Sequence, residues 1–139
     1  MPIDTLATWH HLVQNHEPGG LHQLLAQNVV FHSPVVHTPQ LGRAKVEWYL
    51  RAAFDVFFND SFRYVRQVVG AHEAVLEFQT EIDGIAVNGV DMIRWDDEGR
   101  IVDFKVMLRP LKAIHIVHQK MAAMLPQVAA IATPPPASA

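Results

Sequence analysis

The hydrophobic period of this chain changes near residue 60, and that change fixes the class of fold it can adopt. Before it, Val46, Tyr49, Leu50, Ala53, Phe54 and Phe57 recur at i, i+3, i+4, i+7, i+8 and i+11, the stripe of an amphipathic helix. After Asn59-Asp60-Ser61, four strand-like runs follow at 62–69, 73–82, 85–96 and 100–109. Gly70-Ala71-His72, Asp83-Gly84 and Asp96-Asp97-Glu98-Gly99 supply the turns between them. Helices first and an antiparallel meander afterwards predict an α+β fold, a curved sheet with the helices on its concave side.

The rest of the chain fits this plan. Residues 4–16 read as a helix, with Asp4 as N-cap and Leu6, Trp9, Leu12, Val13 and His16 at helical spacing. Pro18-Gly19-Gly20 breaks it. A second short helix with Leu21, Leu24 and Leu25 on one side is expected to end near Asn28, and Val29-Val30-Phe31-His32 to form a strand closed by Ser33-Pro34. A last helix begins near 111, carrying Leu111, Ile114, Val117, Met121 and Leu125; Pro126 is expected to stop or kink it. The organisation predicted is one domain over 1–125 and a disordered Pro/Ala-rich tail over 126–139.

Composition removes several function classes. The 139 residues are 50% hydrophobic and contain no cysteine, so neither a disordered chain nor a disulfide scaffold is expected. A net charge of −3 without a run of one sign argues against nucleic acid or an anionic membrane as partner. The N-terminal segment has no basic region of the signal-peptide kind and no uninterrupted apolar stretch long enough for a membrane span occurs, so a cytoplasmic location is expected. Gly-rich phosphate loops and nucleophile elbows are absent, and none of the nine histidines forms an H-E-x-x-H pair, so no metal or organic cofactor is expected.

Alternation separates the faces of the strands. Leu76, Phe78, Thr80 and Ile82 share one side of their run, and Val102, Phe104, Val106 and Leu108 share one side of theirs. In 85–96 the alternating set is Val87, Gly89, Asp91, Ile93 and Trp95; if it faces inward, the carboxyl of Asp91 lies on an apolar wall. An acid there either loses its charge or gains a partner. A raised pKa would let it donate a hydrogen bond or a proton near neutral pH. Two structural alternatives stand beside this: pairing with an arginine at a strand end, or a bulge at Gly89 that turns Asp91 outward. His32, at the end of the first strand, is the one histidine placed to serve a site, although hydrogen bonding at a sheet margin is the commoner use of such a residue.

Taken in order, Leu24-Leu25-Ala26-Gln27-Asn28-Val29-Val30-Phe31-His32-Ser33-Pro34, the helix opened by Gly42, Gly89-Val90-Asp91-Met92-Ile93-Arg94-Trp95 and Gly99-Arg100-Ile101-Val102-Asp103-Phe104 resemble the nuclear transport factor 2-like superfamily, in its SnoaL-like and ketosteroid-isomerase-like branch. The resemblance implies a cone-shaped α+β barrel, its curved, mostly antiparallel sheet wrapped around the N-terminal helices and an apolar pocket at the open end. It places Trp9, Tyr49, Phe54, Leu76, Phe78, Phe104, Val106 and Leu108 at or near that pocket, and Ser33 among its ligand-binding residues. Asp91 falls where ketosteroid isomerases hold a protonated Asp in the oxyanion hole. Two positions depart from the isomerase pattern: the general-base Asp corresponds to Ser33 and the oxyanion-hole Tyr to Trp9. The limonene-type epoxide hydrolase set is also unmatched, since its members would fall at Gln79, Glu81 and Val106.

The expectation is a pocket for a small apolar molecule, with acid/base chemistry on a carbonyl or enol compound, as in a cofactor-independent isomerase or cyclase-like lyase. Asp91 would be the acid and His32 the base. Against it stand a non-enzymatic ligand-binding or dimerising module, and a structural subunit whose pocket is filled by its own Trp and Phe side chains. Val65, Val90, Met92 and Met107, apolar among Arg63, Gln67, Glu77 and Glu81, mark the outer sheet face as a homodimer surface.

Overall fold

In a computed structural model, residues 2–129 are described, with side chains to Met124. The order of elements is α1 (Thr5–Gln14), α2 (Leu21–Leu24), β1 (Leu25–His32), β2 (Gln40–Leu41), α3 (Arg43–Phe57), β3 (Arg63–Val69), β4 (Glu73–Ile82), β5 (Ile85–Trp95), β6 (Ile101–Arg109) and α4 (Leu111–Ala129). The fold is α+β, with a curved sheet in the order β2-β1-β6-β5-β4-β3. Its neighbours are antiparallel except β1 and β6, which run parallel. Among the described residues β2 and β3 are the edges, and the sheet does not close into a barrel.

Local chemistry sets the element ends. The Ala7 N–H donates to Asp4 Oδ1 at 3.1 Å, satisfying one of the free donors at the start of α1. That end is tied to the β5–β6 turn, where the Ile3 N–H donates to the Glu98 carbonyl at 2.8 Å and the Thr5 hydroxyl to the Gly99 carbonyl at 2.7 Å. Gly99 has φ of 85°, and a Cβ on it would run into the Ile3 carbonyl, so the turn accepts glycine alone without displacement.

Two local expectations are corrected. The short helix ends at Leu24, not near Asn28, because Leu25 already pairs with Ile101 of β6; a parallel partner distant in sequence outweighs the helical spacing of Leu21, Leu24 and Leu25. At the C-terminus α4 passes Pro126 and reaches Ala129. The disordered tail expected from 126 lies, over residues 130–139, outside the described residues.

The apolar side of the sheet and the buried sides of α1, α3 and α4 form two clusters. One gathers Trp9, Leu12, Leu50, Phe54, Leu76 and Phe104; the other gathers Ala52, Phe57, Phe78, Val87, Val117 and Met121. Tyr49, Phe58, Tyr64 and Val106 pack against both and mark the seam between them. Gly89 makes close packing possible in the second cluster. A Cβ there would lie 2.6 Å from both the Phe78 ring and the Met107 carbonyl, so its absence lets Phe78 lie across β5.

Candidate functional site

Asp91 sits at the seam. The burial of β5 alternates cleanly, Val87, Gly89, Asp91 and Ile93 inside and Met92 and Arg94 outside. No bulge occurs at Gly89; the register of β5 shifts only at Arg94–Trp95. Asp91 therefore faces the helices and is 5% exposed. Its cross-strand neighbours, Leu76 on β4 and Val106 on β6, offer it no polar group.

Its partner comes from one strand further. The Tyr64 hydroxyl on β3 donates to Asp91 Oδ2 at 2.7 Å, and the indole N–H of Trp9 on α1 donates to the Tyr64 oxygen at 2.9 Å. These bonds have one direction. Indole is a donor only, so the phenol accepts from Trp9 and spends its single proton on the carboxyl. Oδ1 of Asp91 makes no hydrogen bond among the described residues, so it is the oxygen free to carry a proton toward a ligand. Burial pushes the Asp91 carboxyl up to about 7, against the opposing pull of the Tyr64 hydrogen bond. Burial, and secondarily the Asp91 charge, holds the Tyr64 phenol well above its usual value, so it stays protonated.

Beside Asp91 is an aromatic cavity of about 40 Å³. It draws Trp9, Phe54 and Phe104 from one cluster and Phe57, Phe78 and Met121 from the other. That volume suits about three or four waters, with a single water needing ~10–15 Å³. Among the lining residues Asp91 is the one carboxyl, and no histidine, lysine or arginine joins it. The Ser33 oxygen accepts from the Val35 N–H at 3.1 Å and shapes the loop after β1. Among the described residues no cluster of His, Cys, Asp and Glu has the makings of a metal site.

The expected site residues divide. Asp91, Trp9, Ser33, Phe54, Phe78, Phe104 and Val106 all line the cavity. Tyr49 instead stacks on Phe31, Leu76 is fully buried in the first cluster, and Leu108 packs against the second. His32 is a correction. Phe31 points into the cavity, so the next residue of an extended strand points out the other side. His32 Nε2 lies 3.3 Å from Asp103 Oδ2, on a shallow surface with Glu73, Arg94 and Lys105. It is not placed to act as a base toward Asp91's cavity.

Tyr64 was not anticipated from the sequence. Phe62 and Tyr64 begin an alternation that points both inward, but Val65 is the extra residue of a bulge, and the inward positions afterwards are Gln67 and Val69. Across the whole run the pattern cancels. The one available signal was the aromatic pair itself, flanking Arg63. Phe58 and Phe62, also in the cavity wall, lie on the irregular segment between α3 and β3, where no period applies.

The family model described as a SnoaL-like domain matches residues 6–104. A solved structure of a steroid delta-isomerase from Pseudomonas aeruginosa is 40% identical, with a TM-score of 0.85 over 91% of this chain and 92% of that one. An uncharacterized bacterial protein with a cystatin-like fold from Silicibacter pomeroyi is 32% identical, with a TM-score of 0.80 over 86% and 84%. A protein of unknown function from Mesorhizobium loti, described as NTF2-like, shares the fold at 22% identity, with a TM-score of 0.67 over 77% and 89%. No curated protein matches the chain.

Proposed function

The chain belongs to the SnoaL-like domain family, and from that premise we propose that it binds a small, largely apolar carbonyl or enol compound in the aromatic cavity and moves a proton on it at Asp91. The observation that carries this reading is the buried carboxyl itself: pushed up to about 7 by burial, so that it keeps a proton well above the usual carboxylate range, backed by Tyr64, with Oδ1 free. A neutral acid in an apolar wall donates a hydrogen bond to a carbonyl oxygen, and that bond strengthens as charge develops on the oxygen during enolisation. Transfer of the Asp91 proton to that oxygen, while a water takes the α-proton, gives the enol; the Tyr64 hydroxyl then stabilises the carboxylate left behind. Return of that proton from the water to a different carbon of a conjugated enol, as the enol O–H proton goes back to the Asp91 carboxylate, completes an isomerisation. Kinship with a protein named as a steroid delta-isomerase supports the same class of chemistry.

The test is deuterium exchange into the α-positions of 2-tetralone, followed by NMR. Acceleration by the wild-type protein and background exchange with Asp91→Asn are expected; wild-type exchange at the background rate would refute turnover. A second reading, binding without turnover, is favoured by the presence of a single titratable group in the cavity lining. Its signature would be a bound ketone whose α-protons exchange no faster than in buffer.

A second copy of the chain is the proposed partner of the outer sheet face. Val68, Val75 and Met92 lie in one cross-strand row, and Val90 and Met107 in the next. Val68 is 65% and Met107 51% exposed, an apolar strip framed by Arg66, Glu77 and Arg94. Met92→Glu is expected to convert a dimer to a monomer by light scattering; a wild-type monomer at all concentrations would refute the proposal.

A further inference from the structure

The aromatic cavity has a neighbour. Between α1 and the segment joining α3 to β3 runs an open groove of about 680 Å³, lined by His10 and Gln14 of α1 and His16 just beyond it, and across from them by Phe58, Phe62 and Tyr64. Phe58 and Phe62 also line the cavity, so the two spaces share those two residues as a wall. Their rings meet edge to face with centroids 4.5 Å apart, and both side chains are half-buried. Tyr64 bridges the same boundary, since it lines the groove and hydrogen-bonds Asp91 in the cavity.

We propose that the groove is the outer half of one binding site: the ligand seats its apolar body and carbonyl oxygen in the cavity, displaces the Phe58 and Phe62 rings, and lays a neutral hydrogen-bonding end, a hydroxyl or an amide, in the groove. This rests on the reading that the cavity is the place of binding. Volume demands the extension. Pockets for organic ligands run to about 300–1,000 Å³, and the cavity alone is about 40 Å³. The groove is where room exists, and Phe58 and Phe62 line both it and Asp91's chamber. Phe58 and Phe62 stand on a turn between helix and strand, so a change of rotamer there breaks no sheet ladder.

The groove's chemistry selects the outer end. His10 sits edge-on to the Tyr64 ring at 5.2 Å, and neither its ring nitrogens nor the Gln14 amide has a hydrogen-bond partner among the described residues. The charges there are of both signs and partly engaged. Arg63 donates to Gln79 at 2.8 Å, His16 lies 3.7 Å from Asp55, and Asp60 adds a carboxylate. A carboxylate or ammonium would meet repulsion as well as attraction, whereas a hydroxyl finds donors and acceptors in His10 and Gln14.

Two fluorescent probes differing only at the outer end test the proposal: 2-acetylnaphthalene and 6-acetyl-2-naphthol. The hydroxylated probe is expected to bind about three- to tenfold more tightly, the worth of one net hydrogen bond. That preference should vanish in a His10→Ala/Gln14→Ala variant. Phe62→Ala should speed association of both probes in stopped flow. Equal affinities for the two probes, both weakened by Asp91→Asn, would overturn the outer half and leave the cavity reading standing. Failure of both probes to bind either the wild type or a Phe58→Ala/Phe62→Ala variant would overturn both.

Discussion

Replacing Asp91 by asparagine should make the protein more stable relative to wild type as pH rises, by an amount the structure sets. The folded state holds the Asp91 proton up to about pH 7, because burial penalises the carboxylate. In the unfolded chain the same group titrates near its ordinary value of about 4. Between those limits the folded state binds more protons than the unfolded state, so the contribution is fully present below about pH 4 and is lost as pH climbs toward 7. At about 1.4 kcal/mol per pH unit, the loss amounts to ~4 kcal/mol by pH 8. Asparagine matches the protonated acid in shape and keeps an oxygen to accept from Tyr64, but it does not ionise. Urea unfolding of both proteins from pH 4 to 8.5, at constant slope, therefore gives stability curves that are close at pH 4 and separated by several kcal/mol at pH 8. A gap that stays constant to within about 1 kcal/mol would refute the burial argument, because the difference reports this one proton and little else.

Tyr64→Phe removes the hydrogen bond that favours the ionised acid and leaves the Trp9 indole without its acceptor; Asp91 should titrate higher than in wild type, read by carboxyl carbon NMR, and stability should fall by ~1–3 kcal/mol. Gly89→Ala forces a methyl against the Met107 carbonyl and the Phe78 ring, so a loss of ~1–3 kcal/mol is expected in thermal unfolding, with changed near-UV circular dichroism from the displaced aromatic. His32→Ala should leave the Asp91 titration and probe binding untouched and cost less than about 1 kcal/mol, since it loses only a partly exposed contact with Asp103.

Much of the frame was legible in the sequence because it depends on local periodicity. The strands at 73–82 and 85–96 carried turn signals at both ends, and their alternation grouped Asp91 with apolar residues; that it faces inward was decided by the unbroken register of β5 at Gly89. Asp4 announced the start of α1 by the same local logic. The residues that were misplaced are those whose position depends on a distant partner. Leu25 leaves its helix to pair with Ile101, 76 positions later in the chain (101 − 25). Tyr64 is carried inward on a strand whose bulge at Val65 cancels its own pattern. His32 follows strictly from Phe31, one residue before it, but only once the strand is known to present Phe31 to the cavity.

By itself, then, the sequence determined the α+β class, the succession of elements and the apolar surroundings of one carboxyl. Periodicity of 3.6 or 2 residues is a property of neighbours along the chain, and burial follows from it. What only the tertiary structure decided is the chemistry of that carboxyl. Its hydrogen-bond partner stands 27 residues away on a strand two removed from its own, oriented by an indole from the first helix. The tertiary packing also decided that the room beside Asp91 is nearly filled by aromatic rings, two of which stand on a connecting turn between it and an open groove. Hydrogen-bond direction, desolvation and free volume arise where separate elements meet, and no pattern along the chain records them.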